Sequence, residues 1–518
     1  MHAEVYPSVK LLLLCISVAL AQFNPHFKSG HHAIVQLFEW RYADIEHECR
    51  TYLGPNGFGA VQLSPVNEVR DGTSWVDRYE PISFKLTSRS GNEFALRSAV
   101  KACNEAGVRV LVEVVLNHMA RAHVDSSSPT RGTAGSIVNP TALDYPDAPF
   151  KAADFNDACR IVHLDDPHEL RNCWKEDRPD LNLSLLRVRQ RILDFLNRLL
   201  ALGVAGFFID SALHMWPHDL HAIFSKLDNL STVEGAFPPG SRPFICLDLS
   251  HHESTTGGLI ASLQARWTDY AELGVIAQDR FAYDIGDVLL KRKPFHYFVH
   301  LGTRLGYVPR EKALVYVSNP RLQRLPDADG DLWVVSGRNR RAYQIALAFM
   351  LAHRYGMASI ASSYEFSNTT EGPPSDSQGH ISPVQIDPTG TCRRPWICEH
   401  RWPVVRKMLR FRQATNGTGV RAWTDNGQNQ LAFCRDRMGF VALNAEISLA
   451  LKAPLYTCLK EGLYCDVVSS ETGSKPTKDD TACSGRMIAV ESDGRAEIFL
   501  PSQLDEPFVA LLESHQLP

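Results

Sequence analysis

No stretch of this 518-residue chain beyond its N-terminal leader is apolar for long enough to cross a bilayer. The chain also lacks an excess of either charge. Lys and Arg total 54 and Asp and Glu 58, for a net charge of −4. That balance argues against a basic nucleic-acid surface, so neither a nucleic-acid nor a membrane partner is expected. There is no internal repeat and no low-complexity segment, which removes solenoids and disordered tails. The apolar content is 44 % and the charged content 22 %. Both are ordinary for a globular protein, and the length suits two or three domains.

The first residues form a unit of their own. Lys10 precedes the apolar run Leu11–Ala21, which ends in Ala19-x-Ala21. A run of that length with that ending predicts a signal peptide over 1–21, cleaved before Gln22, and hence a secreted protein. Twelve cysteines fit an oxidising compartment. Cys15 would leave with the leader, and the eleven that remain leave one thiol over. Asn182, Asn229, Asn368 and Asn416 each open an N-x-S/T sequon.

Further along, short β-rich runs alternate with longer helix-like stretches. The runs are Ile34–Trp40, Gly59–Ser64, Arg109–Leu116, Val204–Asp210, Phe244–Leu249 and Ala313–Ser318; the helices include Asn92–Ala106, Leu186–Leu202 and Ala342–Ala352. This alternation over most of the chain predicts an α/β fold, with a (β/α)8 barrel as the natural candidate. Functional groups then belong at the carboxyl ends of strands, at Asn117, Asp210, Asp248 and Asn319–Arg321. The segment Ala120–Pro179, rich in Pro, Ser, Asp and Gly, breaks the alternation and reads as an insertion after the third strand. From about Val420 the pattern becomes short strands with Gly and Asn turns, at Leu431–Cys434, Gly439–Asn444, Leu463–Val468, Met487–Val490 and Ala496–Phe499, which predicts a small all-β domain.

Several motifs carry a family resemblance: Val35-Gln36-Leu37-Phe38-Glu39-Trp40, Gly57–Pro65, Arg89-Ser90-Gly91-Asn92-Glu93, Leu116-Asn117-His118-Met119, Gly203–Phe207, Phe349–His353 and Cys398-Glu399-His400-Arg401-Trp402. In these the chain resembles the animal α-amylases of glycoside hydrolase family 13, from about Asn24 to its end. The resemblance implies a TIM barrel at 22–118 and 180–418, a calcium-binding domain inserted at 119–179, and a C-terminal antiparallel β-sandwich at 419–518. It implies disulfides Cys49–Cys103, Cys159–Cys173, Cys392–Cys398 and Cys465–Cys483. Thr87 stands where a further family cysteine is expected. Cys434 and Cys458 could pair with each other, and Cys246 is expected as a buried thiol.

Retaining cleavage of a glycosidic bond needs two carboxyl groups about 5 Å apart, one nucleophile and one acid/base. By resemblance Asp210, in Gly206-Phe207-Phe208-Ile209-Asp210, holds the nucleophile position, although a strand-end Asp can also be structural. Asp248 holds the acid/base position, where the family has Glu. Displacing a catalytic group by about 1 Å costs roughly a hundredfold, and losing general-acid help costs roughly 10²–10⁴. Glu253 is nearby but out of register as a substitute. Ser318-Asn319-Pro320-Arg321 stands where the family reads Asp-Asn-His-Asp, so the stabilising carboxylate has become Arg321. A cation there opposes an oxocarbenium-like transition state.

The other positions are mixed. Phe208 replaces an Arg that supports the nucleophile and helps bind chloride, leaving Asn319 and Arg341 as the remaining chloride positions. Val76 stands where a stacking Trp is usual, and Leu213 where a Lys is usual. Trp75, Tyr79 and His118 remain to meet a glucan, though Trp75 and Tyr79 could equally be loop aromatics. Structural calcium maps to the Asn117 side chain, the Asp180 carboxylate and the backbone carbonyls of Arg171 and His214, a set of oxygen donors suited to a hard cation. The same residues could instead persist as a hydrogen-bonded core without metal. These substitutions predict a secreted, monomeric homologue, catalytically inactive or severely impaired, that binds an α-glucan, another carbohydrate or a protein. The alternative is an altered α-amylase hydrolysing α-1,4-glucosidic bonds with retention.

Overall fold

The computed structural model describes residues 21–122, 129–250, 265–324, 334–470 and 483–517. Residues 1–20 of the expected leader and Glu253 lie outside the described residues. Eight parallel strands close into a barrel: β1 (His32–Leu37), β2 (Phe58–Leu63), β3 (Arg109–Val115), β4 (Gly206–Asp210), β5 (Phe244–Leu247), β6 (Val275–Ala277), β7 (Ala313–Val315) and β8 (Met357–Ser362). Each strand pairs with the next, and β8 returns to β1. Two of these strands went unread in the sequence. β6 is three residues long, and β8 (Met-Ala-Ser-Ile-Ala-Ser) is made mostly of small residues of weak strand preference. β1 stops before the expected Trp40, because Glu39 takes a left-handed φ of 62° that ends an extended strand.

The chain divides into two compact units. One takes in residues up to Ser29, Gln36–Ala277 and Thr370–Pro383; the other holds Gly30–Val35, Gln278–Thr369 and Val384–Pro518. The first unit carries β2 to β6, with α1 (Tyr42–Glu48), α2 (Glu93–Glu105), α3 (Pro167–Asn172), α4 (Leu186–Ala201) and α5 (Pro217–Phe224). In α4, Val188, Ile192, Phe195, Leu196 and Leu199 recur at helical spacing on the buried face. Each such side chain contributes roughly 1.5–3 kcal/mol of transfer free energy. Gly206 opens β4 because the Phe244 carbonyl oxygen would lie 2.1 Å from any Cβ there, and this close approach sets the register Phe208↔Cys246 and Ile209↔Leu247.

The second unit carries α6 (Asp279–Leu289), α7 (Arg340–Ala352) and α8 (Pro403–Ala414), and then an all-β segment. Its strands are β9 (Val420–Asp425), β10 (Gln430–Arg435), β11 (Gly439–Asn444), β12 (Leu451–Tyr456), β13 (Gly462–Cys465), β14 (Met487–Val490), β15 (Arg495–Leu500) and β16 (Phe508–Leu512). They form antiparallel sheets in the orders β9-β10-β11-β16, β12-β15 and β13-β14. Phe440, Leu451, Tyr464, Ile498, Leu500 and Leu511 share one buried cluster beneath them.

All four disulfides implied by the resemblance are present, and Cys434–Cys458 is the fifth. Cys246 is the free cysteine among the described residues, and it is buried on β5. Burial pushes its thiol well above the ordinary range, and the Asp248 and Glu113 charges add to that. A neutral buried thiol is a poor nucleophile. Iodoacetamide is therefore expected to leave Cys246 unmodified in the native protein and to label it once the chain is unfolded in guanidinium, as read by intact mass. Labelling of the folded protein would mean that β5 opens.

Candidate functional site

Asp210 closes β4 and Asp248 follows β5, and these strands are hydrogen-bonded neighbours. The Asp248 amide donates to the Ile209 carbonyl at 3.0 Å, which keeps the pairing in step up to the two carboxylates. The structure thus brings Asp210 and Asp248 to the carboxyl ends of adjacent barrel strands. Their surroundings differ. Asp210 is 2 % exposed, whereas Asp248 is half-buried.

Both carboxylates are engaged by this chain's own groups. The Ser211 hydroxyl donates to Asp210 Oδ2 at 2.8 Å. Lys175, itself buried, donates from Nζ to the Ser211 Oγ at 2.8 Å. An ammonium group has only donors, and a hydroxyl has one proton. The arrangement therefore runs one way, from Lys175 through Ser211 to Asp210. A hydroxyl polarised by a cation is a stronger donor than a free one, and it withdraws electron density from the oxygen it meets. Ser211 adopts a left-handed φ of 55°, which turns its short side chain back to the preceding residue. Asp248 is held differently. Its Oδ1 accepts from the Ser250 amide at 2.9 Å and also from the Ser250 hydroxyl. This is an Asx turn, which folds the carboxyl back on its own loop.

The sequence pointed to neither Lys175 nor Ser211. The available signal was a lysine between Cys173 and Asp180 in the inserted segment, and a hydroxyl directly after Asp210. Lys175 reaches to within two residues of Leu213, so a cation comes from a distant segment to the loop where the family lysine was expected.

His118 is 2 % exposed, and its Nε2 lies 3.1 Å from the Tyr79 carbonyl. Burial holds its pKa down to about 3, with Arg178 lowering it further and the Asp210 charge opposing. The imidazole is therefore neutral at physiological pH. The Tyr79 hydroxyl donates to Glu113 Oε2 at 3.1 Å, and Trp75 packs edge-on against Tyr79 with ring centroids 5.8 Å apart. Trp75, Tyr79 and His118 thus form one cluster, in which Trp75 is half-buried. Glu113, a buried carboxylate unremarked in the sequence, stands in register opposite Phe208.

Asn117 and Asp180 meet where β3 ends. The Leu181 amide donates to the Asn117 carbonyl at 2.8 Å, and His118 and Asp180 form a β-bridge. The Asp180 carboxylate is buried and accepts from Asn156 Nδ2 at 2.7 Å, and burial pushes its pKa well up. The Asn117 Oδ1 is buried without a hydrogen-bond partner. Arg171 lies in the last turn of α3, and the His214 Nδ1 bonds the carbonyl of its neighbour Leu170 at 2.9 Å. A buried carboxylate beside an orphaned amide oxygen is a donor set that fits a hard cation.

In the second unit, Asn319, Pro320 and Arg321 follow β7, and Arg321 is half-buried. Asn319 Oδ1 caps the next turn by accepting the Leu322 amide at 2.8 Å. Arg341 donates to the backbone carbonyls of Leu504, Asn444, Glu446 and Ser502. Asn319 and Arg341, the chloride positions that the resemblance implies, thus both carry hydrogen bonds within the chain. The guanidinium is tied to four carbonyl oxygens, and the amide is tied to a turn.

Comparison with known proteins places this arrangement. Residues 422–505 match the model of the α-amylase C-terminal all-beta domain. The chain is 38 % identical over 504 residues to the α-amylase-related proteins of Drosophila sechellia and Drosophila melanogaster, covering 96 % of this chain and 97 % of each of theirs. Among solved structures it is similar to a mutant α-amylase I of Eisenia fetida in complex with maltohexaose. That match has a TM-score of 0.84 at 32 % identity and covers 94 % of this chain and 98 % of the other.

Proposed function

Since this chain belongs to the α-amylase family, we propose that it is a secreted homologue whose hydrolytic site is disarmed and which works by binding a carbohydrate or a protein. The observation that carries this reading is the Lys175–Ser211–Asp210 relay. A nucleophilic carboxylate must offer an oxygen lone pair to the anomeric carbon. Here one oxygen of Asp210 accepts a cation-polarised hydroxyl. Three further changes act in the same direction. Asp248 is one methylene shorter than the family Glu and is folded onto Ser250. Phe208 removes the arginine that supports the nucleophile. Arg321 puts a cation where the transition state calls for an anion. Trp75 is retained and half-buried and would supply a stacking face for a sugar, backed by the buried Tyr79 and His118.

A second reading is favoured by one observation, the placement of Asp210 and Asp248 at adjacent strand ends, which is where a retaining pair belongs. One assay separates the two. Purified protein and an Asp210→Asn variant are incubated with soluble starch, and the reducing ends released are counted. The disarmed reading expects equal rates for both. A wild-type rate well above the variant would sink it and install Asp210 and Asp248 as nucleophile and acid.

Calcium belongs to the same proposal. Asn117 Oδ1, the Asp180 carboxylate and the carbonyls of Arg171 and His214 would hold it, and the ion would tie the inserted segment to the barrel. Its contribution is structural. A ligand bound only to the native state at a thousand times its Kd adds about 4 kcal/mol. Chelation with EDTA is expected to lower the thermal midpoint by several degrees, with recovery on adding calcium but not magnesium. An unchanged midpoint would reduce Asn117 and Asp180 to a metal-free core.

A further inference from the structure

Within the second unit, loops 299–310, 353–355 and 420–423 enclose a cavity of about 600 Å³. Four arginines line it, Arg304, Arg310, Arg354 and Arg421, against a single carboxylate, Glu311. All four are exposed. Arg421 is paired with Asp436. Arg304, Arg310 and Arg354 have no carboxylate within ion-pair distance among the described residues.

Two more guanidinium groups lie behind this wall. Arg435 is buried and donates to the carbonyls of Ala352, Thr415 and Thr418; Arg412 donates to those of Met350, His353 and Gly356. Their hydrogen-bond partners are carbonyl dipoles, and Asp436 offsets only part of the positive charge. The field registers on neighbouring groups. Burial, then Arg412 and Arg354, hold the Arg435 pKa down to about 9, with Asp436 opposing and Arg310 lowering it further. Burial, then Arg435, Arg412 and Arg354, hold His353 down to about 3. Concentrating like charge costs free energy unless an anion completes the site. Trp423 adds a flat wall to the cavity, and its other face stacks on Phe433 at 5.6 Å.

We infer that this cavity is an oxyanion site, built to take a sulfate or phosphate group, either free or as an ester on a saccharide. Planar guanidinium groups match tetrahedral oxyanions with paired N–H donors, and an indole face suits the apolar face of a sugar ring. The site uses none of the barrel carboxylates and does not depend on whether the protein hydrolyses anything.

Calorimetric titration tests it with three probes: sodium sulfate at constant ionic strength, a heparin-derived tetrasaccharide, and uncharged maltotetraose. Saturable binding of sulfate or of the heparin fragment is expected, and none of maltotetraose in this cavity. The Arg310→Ser/Arg354→Ser double variant is expected to bind at least tenfold more weakly. It should keep the wild-type circular dichroism, because both residues are exposed and their removal relieves repulsion. An Arg310→Glu variant provides a second test by charge reversal. Tighter binding of the tetrasaccharide than of sulfate identifies a sulfate ester on a saccharide as the ligand, whereas equal affinities identify the free ion. No saturable binding of either anion by the wild type, or equal affinity in folded variants, overturns the inference.

Discussion

The Asp248→Glu/Arg321→Asp double variant is expected to release reducing ends from soluble starch at least a hundredfold faster than the wild-type protein. Restoring the longer acid returns its proton to the leaving oxygen, and general-acid help alone is worth roughly 10²–10⁴. Arg321 stands where the resemblance implies a carboxylate, so Arg321→Asp returns the anion that would stabilise a developing oxocarbenium ion. The two changes should not add simply, since groups acting on one transition state are strongly coupled. Each single variant is expected to gain little. If the double variant stays at the wild-type rate, the Lys175–Ser211–Asp210 relay is the dominant block. Adding Lys175→Leu, which removes the ammonium donor, then becomes the decisive step.

The second large effect is on stability. Glu39 is fully buried and pairs with Arg78 at 3.1 Å and Arg89 at 2.6 Å, and Arg78 is also fully buried. Removing one member of a buried pair leaves the other charge without compensation and costs about 3–5 kcal/mol. Glu39→Ala strands two guanidinium groups at once and should lie at the upper end. An alanine would also have to adopt the left-handed φ of 62°. Denaturant unfolding is expected to show a markedly lower midpoint. Lys101→Ala should change stability by less than about 0.5 kcal/mol, because its partner Glu105 lies 3.9 Å away and both side chains are exposed. If the two variants unfold alike, the Glu39 cluster contributes far less than its burial implies.

The sequence carried the architecture because the strongest strands announce themselves. Arg109–Leu116 carries valine at positions 110, 112, 114 and 115, and Val204–Asp210 is an apolar run that ends in a carboxylate. The strands it did not carry are those with little side-chain signal, Val275–Ala277 and Met357–Ser362, which are strands only because their barrel neighbours pair with them. At the site, Asp210 and Asp248 were legible because motif and strand end coincide. Lys175 was not, because 35 positions separate it from the carboxylate it influences, and no local pattern reports a contact made across an insertion. Ser211 was hidden by its backbone, since nothing in an Asp-Ser pair foretells a left-handed turn that folds the hydroxyl onto the preceding side chain. Arg341 shows what a residue type leaves unsaid. The residue type matched the family position, but the guanidinium is bound to backbone carbonyls of the β segment.

The wiring of Asp210 also bears on how such a protein would be noticed. Reagents that tag retaining glycosidases are electrophilic sugars, and they label only a carboxylate with an oxygen free to attack and an acid poised to open the warhead. Asp210 is capped by Ser211, and Asp248 is turned onto Ser250. If the site is disarmed as proposed, a labelling survey is expected to pass over this chain, while an antibody or a peptide fingerprint would count it among the amylases.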